Sequence, residues 1–428
     1  MDLFTYRNGE LYCEDLPVRQ IVDSGIGTPT YIYSATTFRE HYSRMASAFA
    51  ELDPIICYSI KCCQNIHIVR LLVEQGAGMD VVSGGELYRA LKAGADPSKI
   101  VYAGTGKTDK EINEAIDARI GWFNIESEAE LANLIHIASQ RQTTVRAALR
   151  VNPDVDPKTH RHTTTGKKET KFGVDIERAK RAFEEYGRNK SVRLCGIHLH
   201  IGSPVNAVQP YVEAIEKALD LILSLRRDGF EINTLDIGGG YGADYSAGEA
   251  LSGKAYAQMI VPLLREQGLK IILEPGRSIA ANAGILVTRT LFIKRSGDRQ
   301  FVIVDAGMSD LIRPALYDAY HFLWPVAPGP QYALAERRRN VNIPETVKVD
   351  VVGPICETGD FLARDRDLPP IKRGDLLAVF TAGAYGFTMA SHYNSRPNAA
   401  EVLVEGSTFR TIRRRETYDD LIAAEEQV

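Results

Sequence analysis

No run in this 428-residue chain approaches eighteen consecutive apolar residues, so the pattern of a membrane-spanning helix is missing. Met1-Asp2-Leu3-Phe4-Thr5-Tyr6-Arg7 lacks the charged-then-apolar layout of a signal peptide, and a cytoplasmic location is the expectation. Strong charge is also missing. A formal net charge of −4 gives no reason to expect nucleic acid or an anionic membrane as partner. The six cysteines (Cys13, Cys57, Cys62, Cys63, Cys195 and Cys356) show no CxxC spacing, which argues against a zinc ribbon or redox pair. Reduced, mostly buried thiols fit better. There is no low-complexity linker and no short repeat. The 44% hydrophobic and 25% charged content is ordinary, and the length suffices for one large barrel plus a second domain.

What is present is a series of eight short apolar runs between residues 55 and 274. They are predicted as strands at 55–60, 79–82, 100–103, 122–125, 145–151, 194–199, 235–237 and 271–273. Helical patterns fall between them, near 66–74, 87–93, 207–227 and 255–267. Thr37-Phe38-Arg39-Glu40, Ser83-Gly84-Gly85-Glu86, Thr108-Asp109-Lys110-Glu111 and Ser127-Glu128-Ala129-Glu130 read as capping boxes that open helices. Strand followed by helix eight times implies parallel pairing with right-handed crossovers. A doubly wound open sheet is the rival, but eight units in about 220 residues match a closed (β/α)8 barrel. After residue 280 the pattern turns mostly to strands, at 285–293, 301–304, 347–352, 376–380, 401–404 and 409–413. The expected architecture is therefore a TIM barrel over 34–282. A mostly β second domain, sandwich-like or barrel-like, would comprise 283–428 with the N-terminal segment 1–33.

In a closed parallel barrel all strand ends meet at one mouth, where the following loops build the site. Lys61 ends the first run. A lysine in an apolar pocket can serve as a neutral amine for Schiff-base chemistry, although a snorkelling strand-end lysine looks the same in sequence. Gly238-Gly239-Gly240-Tyr241-Gly242 follows the seventh run, where barrels often hold a phosphate. A plain tight turn fits too, and a dinucleotide fingerprint is a poorer match so late in the chain. Glu274-Pro275-Gly276-Arg277 offers a carboxylate that could face a pyridine nitrogen and a guanidinium suited to an anion, or else a structural ion pair. His198-Leu199-His200 places two imidazoles on one strand face, as in barrel metallohydrolases. The remaining ligands of such a site are not apparent, so no metal is expected. In the β region, Gly353-Pro354-Ile355-Cys356-Glu357-Thr358 and Gly383-Ala384-Tyr385-Gly386 read by composition as turns.

Taken together, the chain resembles the fold-type III pyridoxal-phosphate decarboxylases over nearly its whole length. The resemblance rests on Tyr58-Ser59-Ile60-Lys61, Asp80-Val81-Val82-Ser83-Gly84-Gly85-Glu86-Leu87, His200-Ile201-Gly202-Ser203, Gly238-Gly239-Gly240 and Glu274-Pro275-Gly276-Arg277-Ser278. It continues through Asp305-Ala306-Gly307-Met308, Arg313-Pro314-Ala315-Leu316-Tyr317, Cys356-Glu357 and Gly383-Ala384-Tyr385. The resemblance implies pyridoxal 5'-phosphate as cofactor, anchored covalently by Lys61, stacked by His200 and paired at its nitrogen with Glu274. Ser203, Gly239, Gly240, Pro275, Gly276, Arg277 and Tyr385 would complete the cofactor site. Arg277, Arg313, Tyr317, Glu357 and Tyr385 would bind an amino-acid substrate, and Cys356 would be the proton donor. In this family Cys356 and Glu357 reach the site from a partner subunit, so a homodimer with shared sites is implied.

Within the family, the branch acting on meso-2,6-diaminopimelate and releasing L-lysine and CO2 matches best. Glu357 follows Cys356, where ornithine-type relatives have Asp, and Arg313 with Tyr317 supplies a second carboxylate clamp. The alternatives are a sister decarboxylase of another dicarboxylic or N-carboxyalkyl diamine, such as carboxynorspermidine, or a non-catalytic homologue. Segment 158–172 resembles the family's active-site cover loop. Cys62-Cys63-Gln64 departs from the more usual Ala-Asn-Ser, and an exposed Cys62 would make the enzyme oxidation-sensitive. The acidic tail 418–428 reads as a helix end.

Overall fold

The computed structural model describes residues 2–156, 171–334, 336–339 and 343–426. It divides into two compact units. One comprises His41–Gly242 and Ala250–Ser278, the other Met1–Glu40, Ala243–Glu249 and Ile279–Val428.

The first unit is a closed parallel barrel. Its strands are β1 (Ile55–Ser59), β2 (Gly78–Val81), β3 (Ile100–Tyr102), β4 (Trp122–Ile125), β5 (Val145–Asn152), β6 (Val192–His198), β7 (Thr234–Asp236) and β8 (Lys270–Leu273). Each pairs in parallel with the next, and β8 returns to β1 through Ile272 opposite Ile55 and Leu273 opposite Ile56. The strands are mostly apolar because both faces are covered; β2, β3 and β4 are buried at every position, Asp80 and Asn124 included. Helices cover the outside through one stripe each. In Ile66–Val73 the buried residues are Ile68, Val69, Leu71 and Leu72, and burying a side chain of this kind stabilises by about 1.5–3 kcal/mol.

The helix starts correct part of the sequence reading. Thr108 and Glu111 close a full capping box. Ser83 and Ser127 cap as expected, but Glu86 and Glu130 accept from the N–H groups of Val82 and Glu126, one residue further back. Thr37 is not a cap at all. The helix runs Ala35–Ala48, and Ser34 Oγ accepts the Thr37 N–H at 3.0 Å, so a hydroxyl three residues earlier takes that role.

The second unit is built on a mixed sheet. Along it lie Phe361–Leu368, Val347–Val352, Arg299–Val304, Gly284–Ser296, Thr30–Ser34, Ala400–Glu405 and Thr408–Arg413. Leu376–Val379 also pairs with Gly284–Ser296, and Leu323–Pro325 pairs with Leu376–Val379. Of the N-terminal segment only its last strand joins this sheet, while Phe4–Arg7, Glu10–Cys13 and Leu16–Pro17 form a separate antiparallel sheet of three. Thr30–Ser34 lies antiparallel to Gly284–Ser296 and parallel to Ala400–Glu405. Phe361–Leu368 escaped the sequence reading because its Arg-Asp-Arg-Asp centre looks like a loop. It is an edge strand, where charge blunts unwanted pairing. Among the described residues no helix is long and apolar enough to cross a membrane.

Candidate active site

The barrel mouth gathers the chemistry. β1 ends at Ser59, one residue earlier than expected, and the 3-10 turn Ile60–Cys62 carries Lys61. Lys61 Nζ lies 2.6 Å from Oδ2 of Asp80 on the neighbouring β2, and Ser59 Oγ donates to the same oxygen. The Lys61 amine is thereby tied to the end of the neighbouring strand, with its side chain partly exposed.

Beside it, β4, β6, β7 and β8 bring Asn124, His198, Asp236 and Glu274 into one buried cluster. Asn124 Nδ2 donates to Asp236 Oδ2 at 3.0 Å and to Glu274 Oε1 at 3.1 Å. Glu274 Oε2 is 3.4 Å from His198 Nε2 and 3.9 Å from His200 Nδ1. The two acids are driven apart. Burial and the charge of Glu274 push Asp236 well up, towards the protonated form. Burial also pushes against ionisation of Glu274, but His198 and Lys61 outweigh it and hold its carboxyl far below the usual range. The floor of the mouth thus holds one fixed negative charge. His198, Asp236 and Glu274 present ligand atoms within 4.8 Å of one another. The His-x-His pair seen in sequence contributes His198 to this group, while His200 stands at the glycine turn.

His200 Nδ1 accepts the Gly239 N–H at 3.3 Å. Burial, then the positive charges of Arg150 and Lys61, hold its imidazole well below the ordinary histidine value, so the ring is neutral. The turn after β7 needs glycine for space. A Cβ on Gly238 would meet the Leu199 carbonyl, and one on Gly240 (φ +97°) would meet the Gly202 carbonyl. Tyr211 donates to the Gly239 carbonyl at 2.8 Å and fixes the turn from below. Arg277, buried at the start of Arg277–Ala280, donates from Nε to Ser203 Oγ at 3.2 Å. Pro275 accepts the Ser59 N–H through its carbonyl, and Gly276 packs against Ser59 and the Cys62 sulfur. Cys62 and Cys63 are both buried, so neither is open to oxidants at the surface.

The second unit carries the other expected residues in two groups. Arg313, on the helix Arg313–Tyr317, is buried and donates from Nε to His321 Nε2 at 3.2 Å. His321 Nδ1 in turn contacts the Phe380 carbonyl at 3.0 Å. The Arg313 guanidinium lies over the rings of Tyr245 and Tyr317, 5.2 and 5.8 Å from their centroids. Cys356 and Glu357 form the second group, on the exposed loop between Val347–Val352 and Phe361–Leu368. Cys356 N–H donates to Asn394 Oδ1, and Tyr393 O–H donates to Glu357 Oε2, both at 2.8 Å. Tyr385 is half-buried at φ +55°. Of the expected cover segment, 158–170 lies outside the described residues.

Several functional neighbours escaped the sequence reading. Arg150 and Glu126 form a buried ion pair at 3.0 Å, and Arg150 also donates to the His200 carbonyl at 3.3 Å. Arg150 interrupts the apolar run of β5 and could have been flagged for that alone. His321 and Tyr245 carry no local signal.

The mouth fits a phosphorylated pyridine aldehyde on three counts. An amine stands at a strand end beside an ionised, buried carboxylate; glycines bare the turn after β7; and Ser278 Oγ, next to Arg277, is a buried hydroxyl with no hydrogen-bond partner among the described residues. Fold and site together define a class, the barrel enzymes that use pyridoxal phosphate. Residues 35–281 match the family model described as "Pyridoxal-dependent decarboxylase, pyridoxal binding domain". A diaminopimelate decarboxylase of Aquifex aeolicus is 49% identical over 97% of this chain and 96% of its own. The structure of the Helicobacter pylori diaminopimelate decarboxylase complexed with L-lysine is 37% identical, with a TM-score of 0.89 over 96% of this chain and 99% of that one. The M. jannaschii enzyme in co-complex with L-lysine is 35% identical, with a TM-score of 0.91 over 99% and 98%. The chain belongs to the pyridoxal-dependent decarboxylase family, among the diaminopimelate decarboxylases.

Proposed function

We propose that this enzyme decarboxylates meso-2,6-diaminopimelate to L-lysine and CO2, the last step of lysine biosynthesis, and that the residues above divide the work as follows. The ionised Glu274 on the floor of the mouth carries the reading, because a fixed buried anion there serves to keep a pyridine nitrogen protonated. Bound pyridoxal phosphate supplies an electron sink for the pair released when the Cα–carboxylate bond breaks. Lys61 would hold it covalently through its amine, and Asp80, 2.6 Å from Nζ, would hold that amine whenever it is free. Neutral His200 would lie against the ring without adding a competing charge. Gly239, Gly240, Ser203, Arg277 and Ser278 line the phosphate end.

Arg313, with Tyr317 beside it, binds the carboxylate that is not lost, since a guanidinium matches a carboxylate in geometry and charge. Glu357 takes the distal ammonium, and Cys356 delivers the proton that replaces CO2. In a homodimer these last two come from the partner subunit, which accounts for reactive groups standing exposed on a loop. Six cysteines, with no disulfide among the described residues, suit a reducing cytoplasm.

A substrate panel tests the assignment. The holoenzyme should turn meso-diaminopimelate into lysine with stoichiometric CO2 and leave ornithine and carboxynorspermidine untouched. Consumption of either of those, with no lysine from meso-diaminopimelate, overturns it.

A further inference from the structure

The loop that carries Cys356 and Glu357 is braced internally through Asp360, whose carboxylate accepts the Ile355 N–H, but the hydrogen bonds at the Cys356 N–H and the Glu357 carboxylate come from one turn outside it. That turn, His392–Arg396, is built in an unusual conformation. Asn394 (φ +56°) and Ser395 (φ +52°) are consecutive non-glycine residues in the left-handed region, where serine gains nothing locally to offset the crowding of its Cβ. Such backbone persists only when its surroundings over-determine it, and it concentrates at functional sites. Here the surroundings are identifiable. Glu416 accepts from Asn398 N–H at 2.9 Å and contacts His392 Nε2 at 2.6 Å, and the Ser395 N–H closes the turn onto the His392 carbonyl at 2.8 Å. What the turn presents is specific. Asn394 Oδ1 accepts the Cys356 N–H, and the Tyr393 hydroxyl donates to Glu357 Oε2. The hydrogen bond to Glu357 raises the Tyr393 phenol, so it stays a donor.

We propose that Tyr393 and Asn394 are positioning residues for the substrate. Tyr393 fixes the Glu357 carboxylate by one oxygen, leaving Oε1 to receive the distal ammonium, and Asn394 sets the backbone from which the Cys356 thiol projects. A left-handed turn held by Glu416 thus decides how far the ammonium acceptor stands from the proton donor, and so which diamine length fits. The inference rests on the substrate roles given above to Glu357 and Cys356.

The test is a double-mutant cycle on the holoenzyme, with meso-diaminopimelate turnover and calorimetric binding of L-lysine as readouts. Tyr393→Phe removes one oxygen and should raise KM and the lysine Kd about tenfold, as expected for a hydrogen bond to a charged group, with kcat changed less than threefold. In a Glu357→Gln background the same change should have almost no effect, because the two residues act as one unit. Asn394→Gly keeps the backbone conformation but loses the acceptor and should lower kcat about tenfold; Asn394→Asp restores the acceptor and should recover most of it. Tyr393→Phe within twofold of wild type, or additive with Glu357→Gln, overturns the proposal. If wild type neither yields nor binds lysine, the substrate reading itself fails, and the cycle distinguishes the two failures.

Discussion

The barrel mouth and the Cys356–Glu357 loop, to which the proposed function gives a single reaction, are built in opposite environments. In the mouth, Asp80, Asp236 and Glu274 are 0%, 0% and 3% exposed, and their protonation is set by burial first, then by one another and by Lys61 and His198. On the loop, Cys356 and Glu357 are exposed, and a strained turn gives each of them one hydrogen bond. On the proposed function, the difference follows from the task given to each. Groups that tune a cofactor need fixed charge states, and burial supplies these by making the wrong state expensive. Groups that meet a diffusing substrate must be reachable, so their geometry comes from hydrogen bonds at the surface. Substitutions in the mouth should therefore disturb folding and chemistry together, whereas substitutions on the loop should disturb chemistry alone.

The largest effect is expected for Lys61→Ala. Turnover should fall to background, and the cofactor's absorbance near ~420 nm should vanish from the loaded protein. A band that survives would place the anchor elsewhere and remove the mouth from the comparison. Next comes Cys356→Ala, which should lower kcat about 10²–10⁴-fold through loss of the proton donor. Its urea midpoint should match wild type within the ~0.5 kcal/mol typical of surface changes. A clear loss of stability would break the comparison from the loop side. Third is Arg150→Met, which strands Glu126 as an unpaired buried charge. It should cost about 3–5 kcal/mol in urea unfolding, with a visible change at His200, whose carbonyl Arg150 holds. A midpoint unmoved by this change would mean that the pair is more solvated than its burial implies.

The barrel could be read from sequence because its strands are short and mostly apolar and alternate with helical patterns, and the apolar runs of β1, β6, β7 and β8 give way to polar or glycine residues, a pattern that two-sided burial imposes locally. Lys61, His200, Gly240 and Glu274 were legible for the same reason: strand ends are visible in the chain. Phe361–Leu368 was not, because an edge strand that needs charge to stay unpaired resembles a loop. His321, Tyr245 and the Arg150–Glu126 pair were missed because their partners are set by tertiary packing. Arg313 meets Tyr245 from a segment far earlier in the chain, and no periodicity reports it. Capping was half legible. The hydroxyl acceptors at Ser83 and Ser127 were right, but which N–H the glutamate reaches depends on how the strand delivers the chain into the helix.

Glu86 gives the smallest and sharpest test of what burial does in the mouth. It is 9% exposed, and its Oε2 accepts the Val82 N–H at 2.8 Å. Burial, only partly countered by Lys61, pushes its carboxyl up to about 7. The unfolded value is near ~4.3, so between these limits the folded chain holds a proton that the unfolded chain has released. The stability linked to Glu86 is therefore complete below about 4.3 and drains away as pH rises through about 7. His200 has the opposite sign: its folded value is depressed, so its linked stability is lost as pH falls below ~6.5. Glu86→Gln keeps an oxygen for the Val82 N–H and removes the ionisation. Subtracting the variant's urea stability from that of wild type at pH 5 and pH 8 cancels His200 and isolates Glu86. The variant should gain about 1–3 kcal/mol relative to wild type over that interval, at 1.36 kcal/mol per pKa unit less some relaxation. A difference that stays flat with pH would show that Glu86 feels solvent as the loop residues do, and the boundary between the two environments would then run inside the mouth.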